Sequence, residues 1–153
     1  MKKSLAAISL LLIMCLLFTS CGGSTNNESE FFDLVSDTQA LLDEYADDIY
    51  SCWYDYIYED EYSSVDSAIL SAMIMNSDNI DIIKANNEQI KELYKKTKDR
   101  KLESEVKEVM QAYNDYYAFV MEVSGSFKSF SASKETLKKE LSSALKNLEF
   151  ELD

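Results

Sequence analysis

The side chains of this sequence best able to do chemistry are carboxylates on helical spacing. Asp43 with Asp47 and Glu44 with Asp48 stand four residues apart, and Asp55 is followed by Glu59, Asp60 and Glu61. Such oxygen clusters suit a hard cation, calcium or magnesium, or a partner-binding face. The segment Tyr58 to Val65, however, has no glycine for a tight ligand loop and no D-x-D-x-D-G pattern, which weighs against a cation loop. A di-metal carboxylate centre in a helical bundle uses a Glu-x-x-His motif, and the chain has no histidine. That absence also removes the usual general base at neutral pH and every His-based nucleophile triad. An enzyme built here would have to work with carboxylates or tyrosines at no signature spacing. The expectation is a non-enzymatic protein with no catalytic residue, no metal and no cofactor.

The remaining reactive group is a thiol. The chain opens MKKSLAAISLLLIMCLLFTSCGG: two lysines, an apolar run from Leu5 to Phe18 too short to span a bilayer comfortably, then small Thr19 and Ser20 before Cys21. Phe18-Thr19-Ser20-Cys21 resembles the lipobox of bacterial lipoproteins, with Phe18 where Leu is usual and Leu17 one step upstream. The resemblance implies that residues 1–20 are removed and that Cys21 accepts a diacylglyceryl thioether, anchoring the chain on the outer face of the cytoplasmic membrane. Of the other cysteines, Cys15 leaves with the signal and Cys52 stays alone, so no internal disulfide is available. Cys52 falls on an apolar stripe and reads as a small buried residue.

Cleavage before Cys21 leaves 133 of the 153 residues, the size of one domain. Thirteen basic residues then face 28 acidic ones, a net charge of −15, which argues against nucleic acid and against docking on anionic lipid through the protein body. Residues 21–29 read as the lipidated cysteine and a polar tether, and the eight from Gly22 to Ser29 reach at most about 26 to 29 Å.

The elements that position the carboxylates follow from periodicity. Phe31, Val35, Thr38, Leu42, Tyr45, Ile49, Cys52 and Tyr56 recur at steps of three and four, widened by Leu41, Trp53 and Ile57, and predict a long first helix from Glu30. A serine after Glu61 caps a second helix with Val65, Ala68, Ile69, Ala72 and Met73 inward. Asn76 to Asn79 mark a kink or break, and Ile80, Ile83, Asn87, Ile90 and Tyr94 resume the stripe. Leu102, Val106, Val109, Tyr113, Tyr116, Val120 and Val123 define the third helix, closed by Gly125. Ser133 is the expected cap of the last, with Leu137, Leu141, Ala144, Leu145, Leu148 and Leu152 inward. No strand-like alternation competes, and the chain has no proline. The fold class is all-α: an antiparallel up-down four-helix bundle over 30–153, its second helix whole or split. The methionines of the mature chain, Met73, Met75, Met110 and Met121, read as core filler.

Residues 28 to 83 carry 15 carboxylates and no Lys or Arg. In an antiparallel bundle the last helix lies beside the first, so Lys138, Lys139 and Lys146 are expected partners for Glu44, Asp47, Asp48 and Asp55. Aromatic residues crowd the end of the first helix, where Trp53 and Tyr56 are expected inside and the other phenols half exposed. The acids and tyrosines together nominate an interaction face of Asp47, Asp48, Tyr54, Asp55 and Tyr58.

Trp53-Tyr54-Asp55-Tyr56-Ile57-Tyr58 and, about 70 residues later, Gly125-Ser126-Phe127-Lys128-Ser129-Phe130 resemble a family of small Gram-positive bacterial lipoproteins of uncharacterised activity, sharing a W-Y-D-x-I-Y helix and a G-S-[FY]-x-x-[FY] turn. The likeness extends over most of residues 45 to 152 and implies an architecture without assigning a site. The function expected is that of a membrane-anchored extracytoplasmic interaction module with a partner protein in the envelope or on the surface. The alternative is a lipoprotein binding a small ligand or divalent cation in a pocket near Trp53, Tyr113 and Tyr116.

Overall fold

The computed structural model describes residues 27–97 and 101–152. The expected signal segment 1–20, the expected lipidation site Cys21 and the expected tether up to residue 26 lie outside the described residues. The described residues are all-α, with five helices among them: α1 Asn27–Tyr58, α2 Val65–Met75, α3 Ser77–Lys96, α4 Glu103–Met121 and α5 Phe127–Leu152.

α1 runs 32 residues, about 48 Å at 1.5 Å per residue. Its stripe is buried from Phe31 through Val35, Thr38, Leu42, Tyr45 and Ile49 to Cys52, with Tyr56 half-buried. All four other helices pack against it. Burial of Phe31, Leu42 and Ile49, each contributing about 1.5 to 3 kcal/mol, outweighs two like-charge pairs that cost about 0.2 to 0.5 kcal/mol apiece. Packing, not surface charge, therefore keeps α1 helical through its acidic middle.

Hydrogen bonds set the registers. Asn76, Asn79 and Asn86 donate to Asp48, Glu44 and Thr38 in turn, so α3 descends as α1 ascends. Gln39 donates to Ser142 and Lys138 reaches Asp43, which makes α5 antiparallel to α1 as well. α4 packs closely on α5, and its buried Tyr113 and Tyr116 reach Asn87 of α3 and Asp43 of α1.

Several boundaries differ from the sequence reading. α1 begins at Asn27, not Glu30, and Glu28 is already buried; Glu28 and Glu30 suit the positive end of the helix dipole. The second helical segment is split, with only Asn76 between α2 and α3. Buried Asn76 donates from Nδ2 both to Asp48 Oδ2 (2.7 Å) and back to the Ala72 carbonyl (3.0 Å), so its side chain secures the break. The expected serine cap of α2 is Ser64, which exchanges hydrogen bonds with Ser67.

The largest correction concerns α5, which starts at Phe127 and not at Ser133. Ser126 and Ser129 form a reciprocal cap: Ser129 N–H donates to Ser126 Oγ, and Ser126 N–H to Ser129 Oγ. Phe127 and Phe130 are thereby helical and pack on Trp53, at ring distances of 6.0 and 5.7 Å. α4 ends at Met121, four residues before Gly125, which has φ 87°. A Cβ added there would lie 2.8 Å from Ser129 Oγ, so glycine is required both for the turn and for the cap.

Met73 and Met75 also depart from expectation. They are exposed, whereas Met110 is buried and Met121 half-buried. The inner seam of α2 is made by Ala68 and Ala72, with Val65 and Ile69 half-buried against the core beside them, which leaves Leu70, Met73, Ile74 and Met75 outside.

Candidate functional site

The acidic middle of α1 divides into two flanks. Residues advance about 100° each around a helix, so Asp43 and Asp47 share one side and Glu44 and Asp48 the next. Asp43 and Asp47 face α5, where Lys138 lies 3.0 Å from Asp43 and Lys134 bonds Asp47. Lys134 is itself buried, with its ammonium 4.9 Å from the centre of the Tyr50 ring and 3.5 Å from Glu135. Asp43 accepts a second hydrogen bond from Tyr116, at 2.6 Å. Burial first, and then the Asp43 carboxylate, push the Tyr116 phenol well above its usual range, while the bond to Asp43 raises Lys138.

Glu44 and Asp48 face the α2–α3 joint and meet amides. Asn79 Nδ2 is 3.2 Å from Glu44, and Asn76 Nδ2 is 2.7 Å from Asp48. The expected lysine complement is thus half right in kind and different in partners. Lys138 does bridge to α1, but to Asp43; Lys139 lines a crease between α4 and α5, and Lys146 is exposed. Lys134, Asn76 and Asn79 were not anticipated. The four-residue step from Lys134 to Lys138 mirrors that from Asp43 to Asp47, and this was the legible signal.

The five residues of the nominated interaction face do not make one surface. Asp47, Tyr54 and Tyr58 share a side of α1, whereas Asp48 and Asp55 lie about a quarter-turn round it. Asp47 is occupied by Lys134 and Asp48 by Asn76. Tyr54 and Tyr58 remain, 40% and 61% exposed. Their rings are 4.6 Å apart and continue through Tyr50, with Phe127 5.0 Å from Tyr50 and 6.3 and 6.4 Å from Tyr54 and Tyr58. The W-Y-D-x-I-Y helix and the G-S-F-x-x-F turn are therefore one aromatic cluster, with Trp53 and Phe130 buried beneath it. An exposed aromatic ladder over a rigid base offers large contact area at low entropic cost.

The residues nominated for a ligand pocket are core. Tyr113 and Tyr116 have no exposure and Trp53 is 5% exposed. Tyr113 OH reaches Asn87 Oδ1 at 3.4 Å, and burial pushes its phenol strongly up. A crease of about 740 Å³ lies instead between α4 and α5, lined by Glu108, Asp115, Glu135, Lys139 and Glu140 among others. Among the described residues, no three or more Asp, Glu or Cys side chains are grouped so as to hold a metal ion, and no helix is long and apolar enough to cross a membrane. Cys52 is buried and accepts a hydrogen bond from Tyr62 at 3.4 Å.

Comparison of the chain with protein-family models, with curated proteins and with solved structures gives no match. The site is read from its geometry.

Proposed function

We propose that this protein is a lipid-anchored, non-enzymatic interaction module on the outer face of the bacterial cytoplasmic membrane, binding an envelope or surface protein. In this reading Cys21 carries the anchor, a few tether residues hold the body close to the membrane, and α2 with α3 form one arm of an antiparallel four-helix bundle. The anchor is supported by the order of charge, apolar run, small residues and cysteine at the N-terminus. The interaction role is carried by the exposed ladder of Tyr54 and Tyr58 beside Phe127. The nearby carboxylates of Asp47 and Asp48 already have partners within the chain, which leaves the aromatic rings as the contact surface of this side.

Two measurements test this. Intact mass of the membrane fraction should show a lipid adduct that Cys21→Ala abolishes; an adduct that survives the substitution rejects the anchor. Crosslinking in cells from a photoreactive residue at position 58 should give one dominant, anchor-dependent partner, lost in Tyr54→Ser. A product unaffected by Tyr54→Ser removes the tyrosine ladder from the contact.

A further inference from the structure

α2 is apolar on two sides. Its inner side, Ala68 and Ala72, is buried on α1. On its outer side Leu70, Met73 and Ile74 are 54%, 48% and 65% exposed. These three stand at i, i+3 and i+4, the spacing of a helix-packing seam. Solvated helix faces are ordinarily polar, so a large exposed stripe of this kind marks a contact surface.

The charges around the stripe indicate what covers it. Exposed Asp66 precedes Leu70 by one turn, exposed Asp78 follows Ile74 by four residues, and exposed Asp81 lies a turn further. No Lys or Arg occurs from residue 27 to residue 83, a stretch containing all of α1 and α2. A second copy placed symmetrically on this face would bring the same three acids against these. An anionic lipid surface is disfavoured by the same charges.

We propose that Leu70, Met73 and Ile74 dock a basic amphipathic helix of a partner protein, its apolar stripe on these residues and its lysines or arginines beside Asp66, Asp78 and Asp81. Binding is by helix-face packing with opposite charge at the rim, which adds specificity and speeds encounter. This surface is separate from the tyrosine ladder and needs no lipid anchor, so the test below is independent of the function proposed above.

The five helices close their core among themselves, so the unlipidated chain 22–153 is the protein to use. The probe is a fluorescein-labelled synthetic helix with leucine at i, i+3, i+4 and i+7 and lysine elsewhere, read by anisotropy against the same design with glutamate for lysine. The lysine peptide should bind and the glutamate peptide should not. Leu70→Ser with Ile74→Ser, both on exposed positions and checked for retained helicity, should weaken binding by about tenfold or more. Asp66→Asn with Asp78→Asn should weaken it several-fold and flatten its salt dependence. Absence of binding, or equal affinity in the serine variant, overturns the proposal, the second outcome meaning charge attraction alone. Sedimentation velocity and flotation with phosphatidylglycerol vesicles complete the test. A dimer or a vesicle association lost in the serine variant would assign the stripe to a second copy or to lipid, and either overturns it.

Discussion

The two flanks of α1 carry the same problem and solve it with different chemistry. Asp43 and Asp47 repel each other across one helical turn, as do Glu44 and Asp48. On the α5 flank the answer is opposite charge, Lys138 and Lys134. On the α3 flank it is neutral amides, Asn79 and Asn76. Ammonium groups cancel charge; amides satisfy lone pairs and leave the charge in place. The lysine flank is therefore largely neutralised, two ammonium groups standing against Asp43, Asp47 and Glu135, while on the amide flank Glu44 and Asp48 keep their charge, and it is this side that carries α2 with its outward apolar stripe. The contrast shows how one helix can be tied down along one edge and left electrostatically open along the other.

The sharpest way to break the comparison is Asn76→Asp. The replacement is isosteric but sets a carboxylate against Asp48 where an amide donated at 2.7 Å. A loss of about 3 kcal/mol is expected at pH 7 by chemical denaturation, well beyond that of Asn76→Ala. The pair's carboxyl pKa is raised in the folded variant, so stability should return as pH falls toward about 4. Equal losses for the two variants would mean that the amide acts only as a helix joint.

Lys134→Met probes the opposite flank. It keeps the buried stem and removes the ammonium from Asp47 and the Tyr50 ring. Because the Asp47 side chain is 59% exposed, solvent screens the pair, and the expected loss is about 1 to 2 kcal/mol. Wild-type stability should fall with added salt more than that of the variant; parallel salt curves would show that the charge contributes nothing.

Alkaline titration probes the buried phenols together with the lysine flank. Burial raises Tyr113, Tyr116 and Tyr45, and the bond to Asp43 raises Lys138. Groups with raised folded pKa values stabilise fully below the unfolded values and lose that contribution as pH rises through the folded ones, so stability should decline above about pH 10. The decline should be blunted in Tyr113→Phe, measured by urea denaturation at successive pH values. An unchanged slope would mean that this phenol ionises equally well in the folded state.

The smallest expected effects are at the helix caps. Ser64→Ala at α2 and Ser126→Ala at α5 each remove a serine that caps by reciprocal bonds, and each should cost about 1 kcal/mol. Similar losses are expected because the two caps are chemically alike; a much larger loss at Ser126 would show that the cap also holds Phe127 and Phe130 on Trp53.

Much of this architecture was legible. Most of the stripes of α1, α3 and α4 follow from the sequence, because a buried face imposes its period on it, although Ile57 is exposed and Val123 lies beyond the end of α4. Cys52 and Trp53 as interior residues and a serine cap for α2 were read the same way. The interaction face was less legible: Asp47 and Asp48 are adjacent in sequence yet face different helices. The start of α5 was missed because a serine-rich stretch offers several caps, and only the packing of Phe127 and Phe130 on Trp53 selects Ser126.

Sequence alone determined the class of the protein: helices, from apolar period without proline; an acidic first half; and no histidine chemistry. These are properties of composition and local spacing, and they do not depend on what each helix meets. Tertiary structure decided which carboxylates are answered by lysine and which by asparagine, that Phe127 joins Tyr54 and Tyr58 in one cluster, and that α2 turns Leu70, Met73 and Ile74 outward. Those outcomes depend on rotation and register between helices, which are set by side chains up to about 100 residues apart in the chain, as between Gln39 and Ser142, separated by 103 positions.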